Sequence, residues 1–261
     1  MAENGDPVLR LTGLNKSFGA VHVLHDVDFT LRLGEVMALV GDNGAGKSTL
    51  IKCIAGIHPF DSGQIEFDGR PVTIDGPRTA ADLGIEVVYQ DLALADNLDI
   101  VQNMFLGRER RSGLVLDEAS MEESAREVLA RLSVRTMKSV RQQVSSLSGG
   151  QRQTVAIAKA ALWESKVVIL DEPTAALGVA QTEQVLGLVR RLADSGHAVV
   201  LISHNMNDVF EVADRITALY LGRVAADVAR SEVTHGQVVE LITAGRSGDL
   251  GLAPTTAAES I

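Results

Sequence analysis

The chain has 261 residues, of which 46% are hydrophobic and 22% charged, and its net charge at pH 7 is −10. That composition supports a full hydrophobic core and excludes a chain disordered along its length. The acidic balance excludes a coat on nucleic acid, which needs Lys and Arg to displace counterions, and direct adhesion to an anionic membrane surface.

Residues 1–10 are polar and acidic, unlike a signal peptide. Cys53 is the only cysteine, so no intrachain disulfide forms. No apolar run approaches the roughly 20 residues that cross a bilayer. A soluble, cytoplasmic chain is expected.

The first clear element is Val36-Met37-Ala38-Leu39-Val40. A continuous apolar run of this kind is a strand buried on both faces, as in parallel sheets. Gly41-Asp42-Asn43-Gly44-Ala45-Gly46-Lys47-Ser48-Thr49 follows at once and matches the pattern G-x-x-x-x-G-K-[ST] completely. Its glycines let backbone N–H groups turn inward with no Cβ in the way. Those donors, with the N-terminus of the next helix, make a concave phosphate site. Lys47 adds a positive charge near the β- and γ-phosphates, and the Ser48 hydroxyl is a ligand for Mg²⁺. The competing reading is a chance glycine-rich turn, against which the flanking strand and helix speak. Leu50, Ile54 and Ile57 lie at helical spacing, and His58-Pro59 stops that helix.

Residues 65–74 read as a small antiparallel piece turning at Asp68-Gly69. Gln90 closes Val88-Tyr89-Gln90 and, taken alone, is a solvated residue at a strand end. From about residue 95 to residue 163 no comparable strand is predicted. Met121, Ala125, Val128, Leu129 and Leu132 fall at helical spacing there, so the stretch is expected to be a helical subdomain inserted into an α/β core. Within it, Leu147-Ser148-Gly149-Gly150-Gln151 precedes a helical stretch and forms a second anion-binding helix start. One phosphate loop already surrounds its own triphosphate. A second such element in the same chain points to a nucleotide held together with a partner copy.

Val167-Val168-Ile169-Leu170 is the next buried strand, and it ends in Asp171-Glu172-Pro173-Thr174. A carboxylate at the C-terminal end of a parallel strand faces the ligand crevice. Asp171 suits Mg²⁺, and Glu172 suits the orientation and deprotonation of an attacking water; a helix-capping acidic pair is the plainer alternative. Val185, Leu186, Val189 and Leu192 mark a helix, and Ala198-Val199-Val200-Leu201-Ile202 a third strand, closed by Ser203 and His204. Strand, helix, strand in this order gives a right-handed crossover and an α/β sheet. Residues 216–228 fold back around Gly222. Residues 245–261 are small and polar without periodicity, which predicts a loose tail.

The phosphate loop, the acidic strand end and Leu147-Ser148-Gly149-Gly150-Gln151 together resemble the ABC ATPase family over residues 8–244. The resemblance implies an α/β P-loop NTPase core with a small antiparallel β subdomain and an inserted helical subdomain. One nucleotide-binding domain would span 1–245, its core about 1–89 and 165–245 and its helical subdomain about 90–164, with 246–261 a flexible tail. Two ATP molecules with Mg²⁺ would lie between two copies of the chain. Each site would join residues 41–49 of one copy to Ser148, Gly149, Gly150 and Gln151 of the other.

By the same resemblance Gln90 looks like the glutamine that touches Mg²⁺ or the attacking water, His204 like the switch histidine, and Phe18 like the aromatic that stacks on adenine, with core packing as the alternative for Phe18. The family's Ser-Ala-Leu-Asp loop is here Ala175-Ala176-Leu177-Gly178, which leaves open how the two sites communicate. That loop and the Gly-Asp-Asn-Gly-Ala-Gly-Lys spelling are similar to bacterial monosaccharide importers of the ribose, xylose and fructose type. The implied activity is ATP hydrolysis driving sugar import, by a peripheral subunit on the cytoplasmic face of the membrane. The implied partners are a second copy and an integral permease, with an extracytoplasmic solute-binding protein acting indirectly and no nucleic acid. Importers of amino acids and exporters of lipids share the ATPase motifs. Non-transport ABC ATPases of the repair type carry coiled coils, and no sustained heptads lie between Ser48 and Leu147. Leu92, Leu94 and Leu98 are expected on the permease-docking surface.

Overall fold

Two long strands, β1 (Leu9–Phe18) and β2 (Val21–Leu31), open the computed structural model, which describes residues 6–134, 139–163 and 165–252. β3 (Val36–Gly41) leads into helix α1 (Lys47–Ile54). The hairpin of β4 (Ser62–Phe67) and β5 (Arg70–Pro71) turns at Asp68 and Gly69, both in left-handed conformation, as such a turn requires. Next come α2 (Pro77–Asp82), β6 (Ile85–Val88), α3 (Ile100–Phe105), the two-residue strands β7 (Arg111–Ser112) and β8 (Val115–Leu116), α4 (Glu118–Arg131) and α5 (Gly149–Leu162). The chain continues through β9 (Val167–Asp171), α6 (Val179–Asp194), β10 (Ala198–Ile202), α7 (Met206–Val212), β11 (Arg215–Tyr220), β12 (Arg223–Ala229), α8 (His235–Ala244), β13 (Arg246–Ser247) and β14 (Leu250–Gly251).

The main sheet runs β12-β11-β3-β10-β9-β6, parallel throughout except for β12 at its edge. The three apolar runs are its centre. Their residues divide by parity: Val168, Leu170, Val199 and Leu201 face α3, α4, α5 and α6, whereas Val167, Ile169, Val200 and Ile202 face α1 and the second sheet. That second sheet, β2-β1-β4-β5, is antiparallel. Coverage on both faces is why these strands carry no polar alternation.

Three features differ from the sequence reading. The helix after the phosphate loop stops at Ile54, and Ile57 is exposed. The cause is Gly56, at φ 73, where a Cβ would come within 2.3 Å of the Gly76 carbonyl oxygen. The residues read as a helical insert also hold the small β7–β8 hairpin. The tail expected to be loose from residue 246 instead forms the β13–β14 hairpin, with Leu252 packed against α8 and β11 neighbours; residues 253–261 lie outside the described residues. Leu92 and Leu94, with Leu98, are partly exposed, the first two packed against the main core.

Candidate active site

Parallel strands deliver their C-terminal ends to one crevice, and here β3, β9 and β10 deliver Gly41, Asp171 and Ile202. Gly46 is the N-cap of α1 at φ 103, and a Cβ there would meet Leu24 Cδ2 at 2.8 Å. Only glycine passes that point, so the loop wraps tightly over the first turn of α1. Lys47 lies inside the wrap and donates from Nζ to the carbonyl oxygens of Gly41 at 2.7 Å and Asp42 at 3.0 Å.

A cavity of about 570 Å³ opens beside the loop and is lined by Asn43, Lys47, Gln90, Glu172, Ser203 and His204, among others. Glu172 and His204 meet across it, with His204 Nδ1 2.8 Å from Glu172 Oε2. The Glu172 side chain is 18% exposed and that of His204 79%, so one is held and the other reaches out. Glu172 sits at φ 52, a left-handed conformation uncommon outside glycine, and its N–H donates to the Ile202 carbonyl at 3.0 Å.

Behind this pair, Thr174 Oγ1 donates to Asp208 Oδ2 at 2.5 Å and Asn205 Nδ2 to Asp208 Oδ1 at 2.8 Å, while the Asn205 N–H donates to Ser203 Oγ at 3.0 Å. Sequence reading missed this network. The sole clue was the spacing of Asn205 and Asp208 at a helix start, and Thr174 is 34 residues away.

Two charges here carry a burden. Burial lowers the pKa of Lys47, against the pull of Glu172, Asp42 and Asp171. Burial, then the neighbouring Glu172 carboxylate, raises that of Asp171, against Lys47 and Lys52. An anion laid on Lys47 and a divalent cation on Asp171 would relieve both, so the donor set fits a cation–polyphosphate pair. Among the described residues no group of three or more His, Cys, Asp or Glu side chains could hold a metal alone. Mg²⁺ takes one or two carboxylates and completes its shell with phosphate oxygens and water, and Asp171 would supply that carboxylate.

Two expected contributors stand apart. Phe18 is 43% exposed at the end of β1, edge-on to His58 at 5.1 Å, and does not line the cavity. Ser148, Gly149, Gly150 and Gln151 do not line it either. Ser148 caps α5 in a reciprocal box with Gln151, its N–H donating to Gln151 Oε1 at 2.9 Å. Ser48 lies in the first turn of α1, and Gly44, Ala45 and Thr49 complete the loop and helix start around Lys47.

The profile of the family described as "ABC transporter" matches residues 24–175. The fructose import ATP-binding protein FrcA of Rhizobium meliloti is 47% identical, over 92% of this chain and 95% of its own length. The xylose/arabinose import ATP-binding protein XylG of Sulfolobus acidocaldarius is 42% identical over 94% and 97%. The ribose import ATP-binding protein RbsA 1 of Rubrobacter xylanophilus is 44% identical, and the chain spans 47% of that longer protein. Among solved structures, cbiO1 from Clostridium perfringens, part of the ABC transporter complex cbiONQ, superposes with a TM-score of 0.77 at 29% identity, covering 90% of this chain and 93% of that one. A nucleotide-free ATP-binding cassette from an ABC transporter gives 0.77 at 23% identity, a likeness of fold.

Proposed function

The chain belongs to the ABC transporter family, as its 47% identity to a full-length relative over 92% of its residues shows, and on that premise we propose that it binds and hydrolyses ATP to power import of a monosaccharide through a membrane permease. The observation that carries this reading is the Glu172–His204 contact of 2.8 Å over the cavity that Lys47 also lines. The sugar class comes from the fructose, xylose/arabinose and ribose import relatives.

In this reading the backbone N–H groups of residues 41–49 and Lys47 Nζ bind the β- and γ-phosphates, Lys47 turning from its carbonyl acceptors to phosphate oxygens. Ser48, Asp171 and Gln90 hold Mg²⁺, which supplies positive charge to the phosphates. Glu172 Oε2 accepts the proton of the attacking water and so raises its nucleophilicity. His204 Nδ1, already bonded to that carboxylate, fixes its orientation and reaches toward the γ-phosphate. Phe18 offers an exposed ring to the adenine.

Ser148, Gly149, Gly150 and Gln151 act on the nucleotide of a second copy. Residues 90–164 form the helical subdomain of a single nucleotide-binding domain over 1–245. In this reading the chain is a peripheral subunit on the cytoplasmic face, bound to its permease and served indirectly by an extracytoplasmic solute-binding protein; no helix among the described residues is long and apolar enough to cross a membrane.

Glu172→Gln tests the reading. It should bind MgATP with affinity near wild type and lose about 10²–10⁴ in turnover, the usual contribution of a general base. Turnover near wild type would remove Glu172 from the chemistry.

A further inference from the structure

We propose that Asp208 is a positioning residue for Glu172 and His204, a strap that ties the two strand ends carrying them. The inference rests on the function proposed above.

Asp171 and Ile202 are register partners on neighbouring parallel strands. Glu172 and His204 lie just beyond those ends, on loops with few backbone bonds between them. Glu172 is held at φ 52. A non-glycine residue stays in that conformation only where its surroundings over-determine it. The Glu172–Ile202 backbone bond fixes one side, and the Glu172 carbonyl accepts from the Ala175 N–H at 3.1 Å. The third restraint is Thr174, two residues on, whose hydroxyl bonds to Asp208. The other oxygen of the same carboxylate accepts from Asn205, the residue after His204. One carboxylate therefore holds the loop of the base and the loop of the histidine at a fixed separation.

The plainer reading is that Asp208 only finishes the cap of α7. A local cap accounts for Asn205, which also accepts from the Asn207 N–H at 3.1 Å. It does not account for Thr174. Asp208 is 4% exposed and, among the described residues, makes no ion pair. A buried carboxylate without a cation depends on its hydrogen bonds, and here both come from residues flanking the reacting groups.

Four variants of the full chain decide the matter, read by steady-state ATP hydrolysis and thermal unfolding. Thr174→Val keeps shape and removes the hydroxyl; Thr174→Ser restores it. Asp208→Asn alone sets its amide against that of Asn205, whereas the exchange Asn205→Asp with Asp208→Asn rebuilds the bond with donor and acceptor reversed. Thr174→Val and Asp208→Asn should each lower kcat at least about tenfold, as misplacement of reacting groups does, with KM for ATP within about twofold. Thr174→Ser and the exchange should recover most of that loss, and the thermal midpoint of Thr174→Val should stay near wild type.

An unchanged kcat in Thr174→Val would overturn the proposal. So would a KM that rises as far as kcat falls, or an exchange no better than Asp208→Asn alone. Wild-type hydrolysis with an inactive Glu172→Gln alongside an indifferent Thr174→Val would reject the strap while leaving the ATPase reading intact.

Discussion

At the scale of single residues the site is a set of charges that the fold makes uncomfortable. Asp171 shows it best, because burial and then Glu172 raise its pKa. A carboxyl with a raised native pKa favours folding when protonated. That contribution is complete below the ordinary carboxylate range and is lost as pH rises through the raised native value. The ligand-free chain should therefore lose stability across that interval. Asp171→Asn removes the titration, so its thermal midpoint should exceed wild type at neutral pH and converge with it below about pH 4, where the unperturbed carboxyl is protonated. The same variant should gain little stability from MgATP, because the cation loses its carboxylate. Thermal unfolding from pH 3 to 8 with and without MgATP is the measurement. A variant equally destabilised at every pH would show that Asp171 matters for packing and not for charge. Lys47 mirrors it with opposite sign, its pKa lowered by burial, and an anion brings the corresponding relief.

At the scale of elements, what the sequence disclosed was periodicity and what it hid was register. The strands β3, β9 and β10 were legible because both faces are buried and the runs are unbroken. β1 and β2 were not, although they are the longest strands: Gly13 (φ 58) and Asp26 (φ 47) sit at register shifts that break the alternation of Leu9, Leu11 and Leu14, and of Leu24, Val27 and Phe29. The motif residues of the site were legible because they are contiguous; Asp208 was not, because its partner Thr174 arrives from the turn after β9, 34 residues away. Asp96 is a further case. Its carboxylate lies 2.6 Å from Arg152 Nη1, while the same guanidinium donates to the Leu147 and Ser145 carbonyls, each at 3.3 Å. The Ser145 N–H in turn donates to the Asp96 carbonyl at 3.0 Å. The segment after Gln90 is thus bound to the segment that ends at Ser148. Both side chains are partly exposed, so the ion pair is worth at most about 1 kcal/mol. Asp96→Asn should speed amide exchange at Ser145 by up to about fivefold, the factor equivalent to that energy. Arg152→Gln should speed it more, and the double variant no more than Arg152→Gln. Multiplying effects would mean that the two residues act separately.

At the scale of the whole molecule the question is what completes the cavity. Its walls carry residues from the phosphate loop and the ends of β9 and β10, and none from residues 148–151. Ser148 and Gly149 are exposed at the start of α5. A helix start attracts phosphate through the N–H groups of its first turn, so in the proposed dimer each chain lends this element to its partner. Consider Lys47→Ala in one chain and Ser148→Arg in another. Each homodimer has two damaged sites. In a mixed dimer one site takes both substitutions, and the other joins an intact Lys47 to an intact Ser148. Random pairing at equal amounts gives mixed dimers with one sound site each, about a quarter of all sites. Nucleotide binding is the sharper readout, because a lone sound site hydrolyses poorly if the two sites work together. Differently tagged chains identify the mixed dimers, and thermal unfolding confirms that both variants fold. Mixing should restore nucleotide-dependent dimerisation and a fraction of ATP binding near that quarter. Verified mixed dimers without any recovery would place each site within one chain and would overturn the shared-site arrangement.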